Sequence, residues 1–219
     1  MLELNNIFKA FGDVHVLNGL SLRLEEGRIH TLVGGNGSGK TTLFNIITGF
    51  LPPTSGALSF KGRSLAGLPP HRINRLGIGR TFQDLRLALQ MTALENILLA
   101  QEKAMFAFTT PEQARRAESV LERVALAHQK GTQAGELSYG QQKLLTIGCC
   151  IANNAELLLI DEPVAGIDQD NFKRITALVR ELRDSGKTIL QIEHHSGYIG
   201  ETSDRVWQLE SGRLREAPC

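Results

Sequence analysis

Gly34-Gly35-Asn36-Gly37-Ser38-Gly39-Lys40-Thr41 fits the pattern G-x-x-x-x-G-K-[ST], with an apolar run before it and an apolar-faced helical pattern after it. Glycines at this spacing let a loop close tightly, with backbone N–H groups turned inward around an anion. The N-terminus of the following helix adds its positive dipole end. Such a loop holds the phosphates of a nucleotide. Lys40 would reach the β- and γ-phosphates, and the Thr41 hydroxyl would ligate Mg²⁺. A glycine-rich turn with a chance lysine is the alternative, and the flanking strand and helix argue against it. Gly34 through Thr42 is therefore the candidate nucleotide-binding segment, with a nucleotide and Mg²⁺ the expected ligands.

Leu157-Leu158-Leu159-Ile160-Asp161-Glu162 places two carboxylates at the end of an apolar run. Asp161 is placed to hold Mg²⁺, directly or through water. Glu162 points to the opposite face, where a carboxylate could polarise an attacking water. Alone, an acidic pair after a strand is an ordinary solvated loop start; alongside a phosphate loop it becomes a catalytic pair. Between the two motifs, Ser138 reads as the N-cap of a helix, a role it would fill as an ordinary cap.

These residues need elements to hold them. Over residues 1–30, Leu20, Leu22 and Leu24 alternate with Ser21, Arg23 and Glu25, the period of a half-buried strand. His30 to Val33 reads as a short strand running into the phosphate loop. Residues 40–48 read as a helix with Leu43, Phe44, Ile46 and Ile47 inward, stopped by Gly49 and Pro52-Pro53. Ala57 to Arg63 reads as a strand ending in a glycine turn. From 84 to 135 the pattern is helical, and Thr110-Pro111-Glu112-Gln113 combines an N-cap, a first-turn proline and a capping-box glutamine. Leu157 to Ile160 is continuously apolar, as in a parallel strand covered on both faces. An amphipathic helix over 169–184, a strand over 188–192 and a hairpin over 206–214 complete the chain.

The 219 residues suffice for one α/β domain with a small inserted lobe. Lys and Arg (24) nearly balance Asp and Glu (23), which argues against a dedicated nucleic-acid binder. Cys149, Cys150 and Cys219 make no disulfide framework and point to a reducing compartment. No run reaches the ~18–20 apolar residues of a bilayer span, and Met1 to Asn6 lacks the features of a signal peptide. The expected location is the cytosol, unless a partner holds the chain at a membrane.

Leu137-Ser138-Tyr139-Gly140-Gln141-Gln142-Lys143 resembles the signature of ABC ATPases, and the resemblance covers essentially the whole chain. It implies one ABC ATPase domain over 1–219 with an α/β fold. The parts would be a P-loop NTPase core with a mostly parallel sheet, an antiparallel β subdomain and an inserted α-helical subdomain. Core and β subdomain would occupy 1–83 and 136–219, and the helical subdomain 84–135. Two such chains would sandwich two ATP molecules. Ser138, Tyr139, Gly140 and Gln141 of one chain would then face the ATP held by the other. Gln83, after Gly79-Arg80-Thr81-Phe82, resembles the glutamine that senses Mg²⁺ and water and faces the membrane partner. Asp168, in Ala165-Gly166-Ile167-Asp168, resembles the loop that crosses the dimer interface. His194 resembles the switch histidine on the γ-phosphate, with His195 a solvated neighbour. Phe11 resembles the aromatic that stacks on adenine, and a core role is equally open to it. The implied catalytic set is Glu162, His194 and Gln83, and the implied Mg²⁺ set Thr41, Gln83 and Asp161. Gly35, Tyr139, Cys149 and Ala165 depart from the usual proline, glycine, arginine and serine; none removes a group that hydrolysis needs.

Gly77 to Leu87, Met91 to Asn96, Tyr139 and the strand end Ile192-Glu193-His194 are similar to branched-chain amino acid importer ATPases. Urea and short-amide importers share much of this pattern, and the stretch from Gln83 to Ser138 is shorter than in many members. The resemblance implies an ATPase that powers import of branched-chain or hydrophobic amino acids. Its partners would be transmembrane permease subunits, a second ATPase subunit (identical or paralogous) and, indirectly, a solute-binding protein. It would sit on the cytoplasmic face of the membrane. Leu85, Leu87 and Leu89 are the expected exposed docking patch, an expectation that fails if all three are fully buried. A ribosome- or DNA-acting ABC ATPase would carry a second nucleotide domain, a coiled-coil arm or a basic patch. A regulatory subunit without turnover would lack the base, yet Glu162 and His194 are both present. His194, His195, Cys149 and Cys150 have no finger-like ligand spacing.

Overall fold

The structure, a computed structural model, describes residues 1–83, 85–101 and 110–217. Asp84, part of the importer-like stretch, and Cys219, counted in the redox reading, lie outside these residues. The early alternation resolves into a hairpin of β1 (Leu2–Phe11) and β2 (Val14–Arg23) that turns at Gly12. Strand β3 (Ile29–Val33) runs into the glycine loop, and α1 (Lys40–Ile47) leaves it. The expected strand at 57–63 is two: β4 (Ser55–Phe60) turns through Lys61 and Gly62, both at positive φ, into β5 (Arg63–Ser64). These form a four-stranded antiparallel sheet in the order β2-β1-β4-β5.

Two elements without a sequence signal follow, helix α2 (Pro70–Arg75) and strand β6 (Ile78–Arg80). Among the described residues of 84–135 the regular helices are α3 (Ala93–Gln101) and α4 (Pro111–Arg123). Residues 85–92 are not helical: the Asn96 side chain takes both backbone groups of Ala88, at 2.9 and 3.1 Å, and holds that segment out. The capping box at Thr110 and Gln113 forms as read, with bonds of 3.2 and 2.8 Å, a cap that contributes about 1 kcal/mol.

The chain continues through α5 (Tyr139–Ala152), β7 (Leu157–Asp161), α6 (Gln169–Asp184), β8 (Thr188–Ile192), α7 (Ser196–Thr202), β9 (Arg205–Glu210) and β10 (Arg213–Ala217). The second sheet has the order β10-β9-β3-β8-β7-β6, parallel throughout except for the edge strand β10. Strand β7 is buried at every residue and feeds two cores. Leu158 and Ile160 enter the core shared with α3 to α6. Leu157 and Leu159 enter the core shared with α1 and the antiparallel sheet. Helices α3 and α4 pack on α5, so the helical layer continues past residue 135. The glycine loop, Gln83, the Asp161-Glu162 pair and His194 then fall at or beyond the C-terminal ends of β3, β6, β7 and β8, the edge where parallel α/β sheets bind ligands.

His30 anchors β3 from below. Its Nδ1 accepts the indole N–H of Trp207, the only tryptophan in the chain, at 3.2 Å. Burial pushes this imidazole below its ordinary 6.5, with the charges of Glu25 and Asp204 opposing. His30 is therefore neutral in the fold, and the unfolded chain takes up the proton first. Its contribution to stability is complete above the unfolded pKa and is lost as pH falls through the folded one. Denaturant midpoints should drop between neutral pH and about pH 5, and drop less in His30→Gln. Equal drops in both proteins would remove His30 as the cause.

Candidate functional site

The loop between β3 and α1 takes its shape from its glycines. Gly39, the residue before the helix, has φ +105, and a Cβ there would meet Leu17 and Val16 side chains at 3.0 and 3.1 Å. A Cβ on Gly34 would meet the Leu209 carbonyl oxygen at 2.5 Å and Ser38 Oγ at 2.8 Å. Lys40 is 7% exposed and donates to the carbonyls of Gly34 and Gly35, at 2.6 and 2.9 Å. Burial pushes its ammonium down from the ordinary lysine value, while Glu162 and Asp161 pull it back up. Asn36, Gly37 and Thr41 are exposed, and Ser38 and Thr42 half-buried. Ser38 Oγ is a buried hydroxyl with no protein partner.

Asp161 closes β7 at 7% exposure. Burial pushes its carboxyl above the ordinary carboxylate value, and the Arg80 guanidinium, 3.8 Å away, offsets part of that. Arg80 itself is pushed down to about 10 by its own burial. It also donates to Asn45 Oδ1 at 2.7 Å and Thr48 Oγ1 at 3.2 Å on α1, and lies over the rings of Phe44 and Phe82. Glu162 breaks the strand in the left-handed region, φ +47, with its N–H on the Ile192 carbonyl at 3.0 Å. Its carboxylate lies 3.9 Å from Nε2 of His194, and both side chains reach solvent. Three residues missed in the sequence hold this corner: Arg80, Lys143 and Glu193. Lys143 Nζ donates to the Glu162 carbonyl and, at 2.8 Å, to that of Ala165. A lone charge in an otherwise apolar helical stretch is the sequence signal that could have found Lys143.

The other candidates lie elsewhere on the surface. Gln83 follows β6 and is exposed. Phe11 is 50% exposed at the hairpin tip with Lys9 over its ring, which decides against a core role. Ser138 caps α5 through a capping box with Gln141, at 3.3 and 2.9 Å, so both side chains are committed to the helix end. Tyr139 is exposed beside Lys143, and Gly140 is buried where a Cβ would collide with Asn171. Asp168 caps α6, accepting from the N–H groups of Asp170 and Asn171 at 3.0 and 2.9 Å. His195 is exposed, and its Nδ1 caps α7 by accepting the Tyr198 N–H. Burial pushes both Cys149 and Cys150 thiols up to about 12, and neither is in a disulfide.

A groove of about 480 Å³ opens between α2, β6 and the helical layer, with Phe50, Phe82, Leu87 and Leu99 among its apolar walls. Of the three leucines expected as a docking patch, Leu87 lines this groove. Leu85 is half-buried near Lys143, and Leu89 is exposed outside the groove. None is fully buried, but Leu85 and Leu87 are half-buried and the three leucines do not form one exposed patch; the large exposed apolar side chains of the groove wall are Phe50 and Leu99.

The donor set suits Mg²⁺. A carboxylate oxygen of Asp161 and the Thr41 hydroxyl are hard oxygen ligands, beside a loop with an orphaned Ser38 hydroxyl. Among the described residues no three His, Cys, Asp or Glu side chains converge. An ion there would draw its remaining ligands from phosphate and water.

A family model described as ABC transporter matches residues 17–165. The chain is 38% identical to the high-affinity branched-chain amino acid transport ATP-binding protein LivG of Salmonella typhimurium, over 97% of this chain and 89% of the relative. It is 37% identical to BraF of Pseudomonas aeruginosa, a protein of the same description, with the same coverage. Among solved structures it is similar to a nucleotide-free ATP-binding cassette from an ABC transporter, at TM-score 0.90 and 33% identity over 99% and 90% of the two chains. It is also similar to a dimeric cassette in a post-hydrolysis state with ADP and Pi, at TM-score 0.88 and 28% identity over 99% and 98%.

Lys40 in its present bonds faces neutral carbonyls, and a phosphate would replace them with acceptors of opposite charge, in bonds worth about 1.5–3 kcal/mol. Lys40→Met should weaken ATP binding by roughly 10- to 100-fold, measured by titration with a fluorescent ATP analogue. Undiminished affinity would place the nucleotide elsewhere.

Proposed function

This chain belongs to the ABC transporter family, and on that premise we propose that it is the ATP-hydrolysing subunit of an importer of branched-chain or other hydrophobic amino acids. The supporting observation is a convergence at one sheet edge: the glycine loop after β3, Asp161 and Glu162 at the end of β7, and His194 beyond β8, with Glu162 and His194 3.9 Å apart. Relatives 37–38% identical along nearly the whole chain supply the transport assignment.

In this reading the N–H groups of Gly34 to Thr42 and the Lys40 ammonium bind the phosphates, and Phe11 offers its exposed ring to adenine. Thr41, Gln83 and Asp161 would hold Mg²⁺, which when bound would neutralise charge across the phosphate oxygens. Glu162 orients the attacking water and accepts its proton. His194 steadies the γ-phosphate from the other side of that water. Ser138, Tyr139, Gly140 and Gln141 complete the site from a second ATPase subunit, and Asp168 belongs to the loop between the two. The helical lobe, 84–135 by sequence, and the groove beside it receive a cytoplasmic helix of the permease. No helix among the described residues is long and apolar enough to cross a membrane. The subunit's place at the cytoplasmic face therefore rests on that docking.

The reconstituted transporter should take up leucine in preference to urea with Mg-ATP. Glu162→Gln should cut turnover at least about 100-fold and leave an ATP-stabilised dimer by size-exclusion chromatography. Equal turnover in both proteins would take the base role from Glu162, and urea uptake without leucine uptake would change the cargo.

A further inference from the structure

Strands β7 and β8 are neighbours, so the turns that leave them run side by side. One carboxylate spans both. Glu193, the first residue beyond β8, is 3% exposed. Its Oε1 accepts the Val164 N–H at 3.1 Å, and its Oε2 accepts the N–H groups of His194 and His195 at 2.7 and 3.0 Å. A carboxylate removed from water needs this many donors and an opposite charge nearby. Lys143 supplies the charge: it is 6% exposed, is attracted to Glu193, and is itself fastened to the carbonyls of Glu162 and Ala165. Val164 lies two residues past Glu162, and His194 follows Glu193 directly.

We propose that Glu193 is a positioning residue for ATP hydrolysis: its carboxylate locks the turn carrying Glu162 to the turn carrying His194. The proposal rests on the reading of Glu162 as the base. Both oxygens of Glu193 accept, and they face opposite turns. Glutamine has the same shape but one acceptor, so its amide N–H₂ would face a backbone N–H on one side. Whichever way it flips, one turn is released. Aspartate keeps both oxygens but is a methylene too short to reach both turns at once.

A displacement of about 1 Å at a reacting centre can cost ~100-fold in rate. In the transporter assembled with its membrane subunits, Glu193→Gln should lower kcat at least about 10-fold and leave KM for Mg-ATP within about two-fold. Lys40 and the glycine loop are untouched. Amide hydrogen exchange at Val164, or at His194 and His195, should quicken in the same variant. Unchanged kcat, or a loss of ATP affinity as large as the loss of kcat, overturns the proposal. If Glu193→Gln does not fold, Glu193→Asp is judged by the same split between kcat and KM. Glu162→Gln run in parallel separates the two ideas. Its full activity sinks the reading of the base, whereas a silent Glu162→Gln beside a fully active Glu193→Gln sinks the bridge alone.

Discussion

A parallel strand covered on both faces has no room for a charge until it ends. Strand β7 obeys this along its length, sending Leu158 and Ile160 into one core and Leu157 and Leu159 into the other. The polar groups are therefore driven to its C-terminal end, where Asp161 still lies under the rim and Glu162 leaves it in a left-handed turn. Strands β3 and β8 are held in register beside it by the same two cores, so their loops open at the same edge. Burial of four leucine-sized side chains on β7 alone is worth several kcal/mol, about 1.5–3 each. That rigidity lets exposed loop residues hold fixed positions.

Charge is the cost of the arrangement. Asp161 and Glu193 are buried carboxylates, with Glu162 half-exposed beside them, and Arg80, Lys40 and Lys143 come from three different elements to face them. None of the three cations stands on a carboxylate alone. Lys40 and Lys143 are fastened to backbone carbonyls, and Arg80 to Asn45 and Thr48 of α1. Directional bonds to neutral groups fix each cation's position while its charge still acts on the carboxylates around it.

Arg80 has a second setting. Its guanidinium lies between Asp161 and the ring of Phe82, and Phe82 in turn carries Arg86 over it at 3.9 Å. Arg80, Phe82 and Arg86 all line the groove beside the helical layer. The wall of the groove and the Asp161 carboxylate are thus joined by one side chain.

Local pattern alone determined a good deal. The glycine loop, the acidic pair, the capping boxes at Thr110 and Ser138 and the helix over 169–184 are each written within a few residues, because turn chemistry and periodicity act over that range. Thr110 with Gln113 is an example: both halves of the box lie in one turn. Strand β6 was illegible. It is three residues long, and its place depends on Gly79 fitting against Ala155 and Cys150, where a Cβ would come within 2.8 and 3.2 Å. Residues 85–92 matched a helical pattern, yet Asn96 claimed the backbone of Ala88 instead. Glu193 read as the end of a strand, and only the pairing of β7 with β8 brings Val164 to its second oxygen, 29 residues away in sequence. Sequence fixes what a residue can donate or accept; which distant backbone it meets is set when two strands share a buried sheet, and that is decided by tertiary packing.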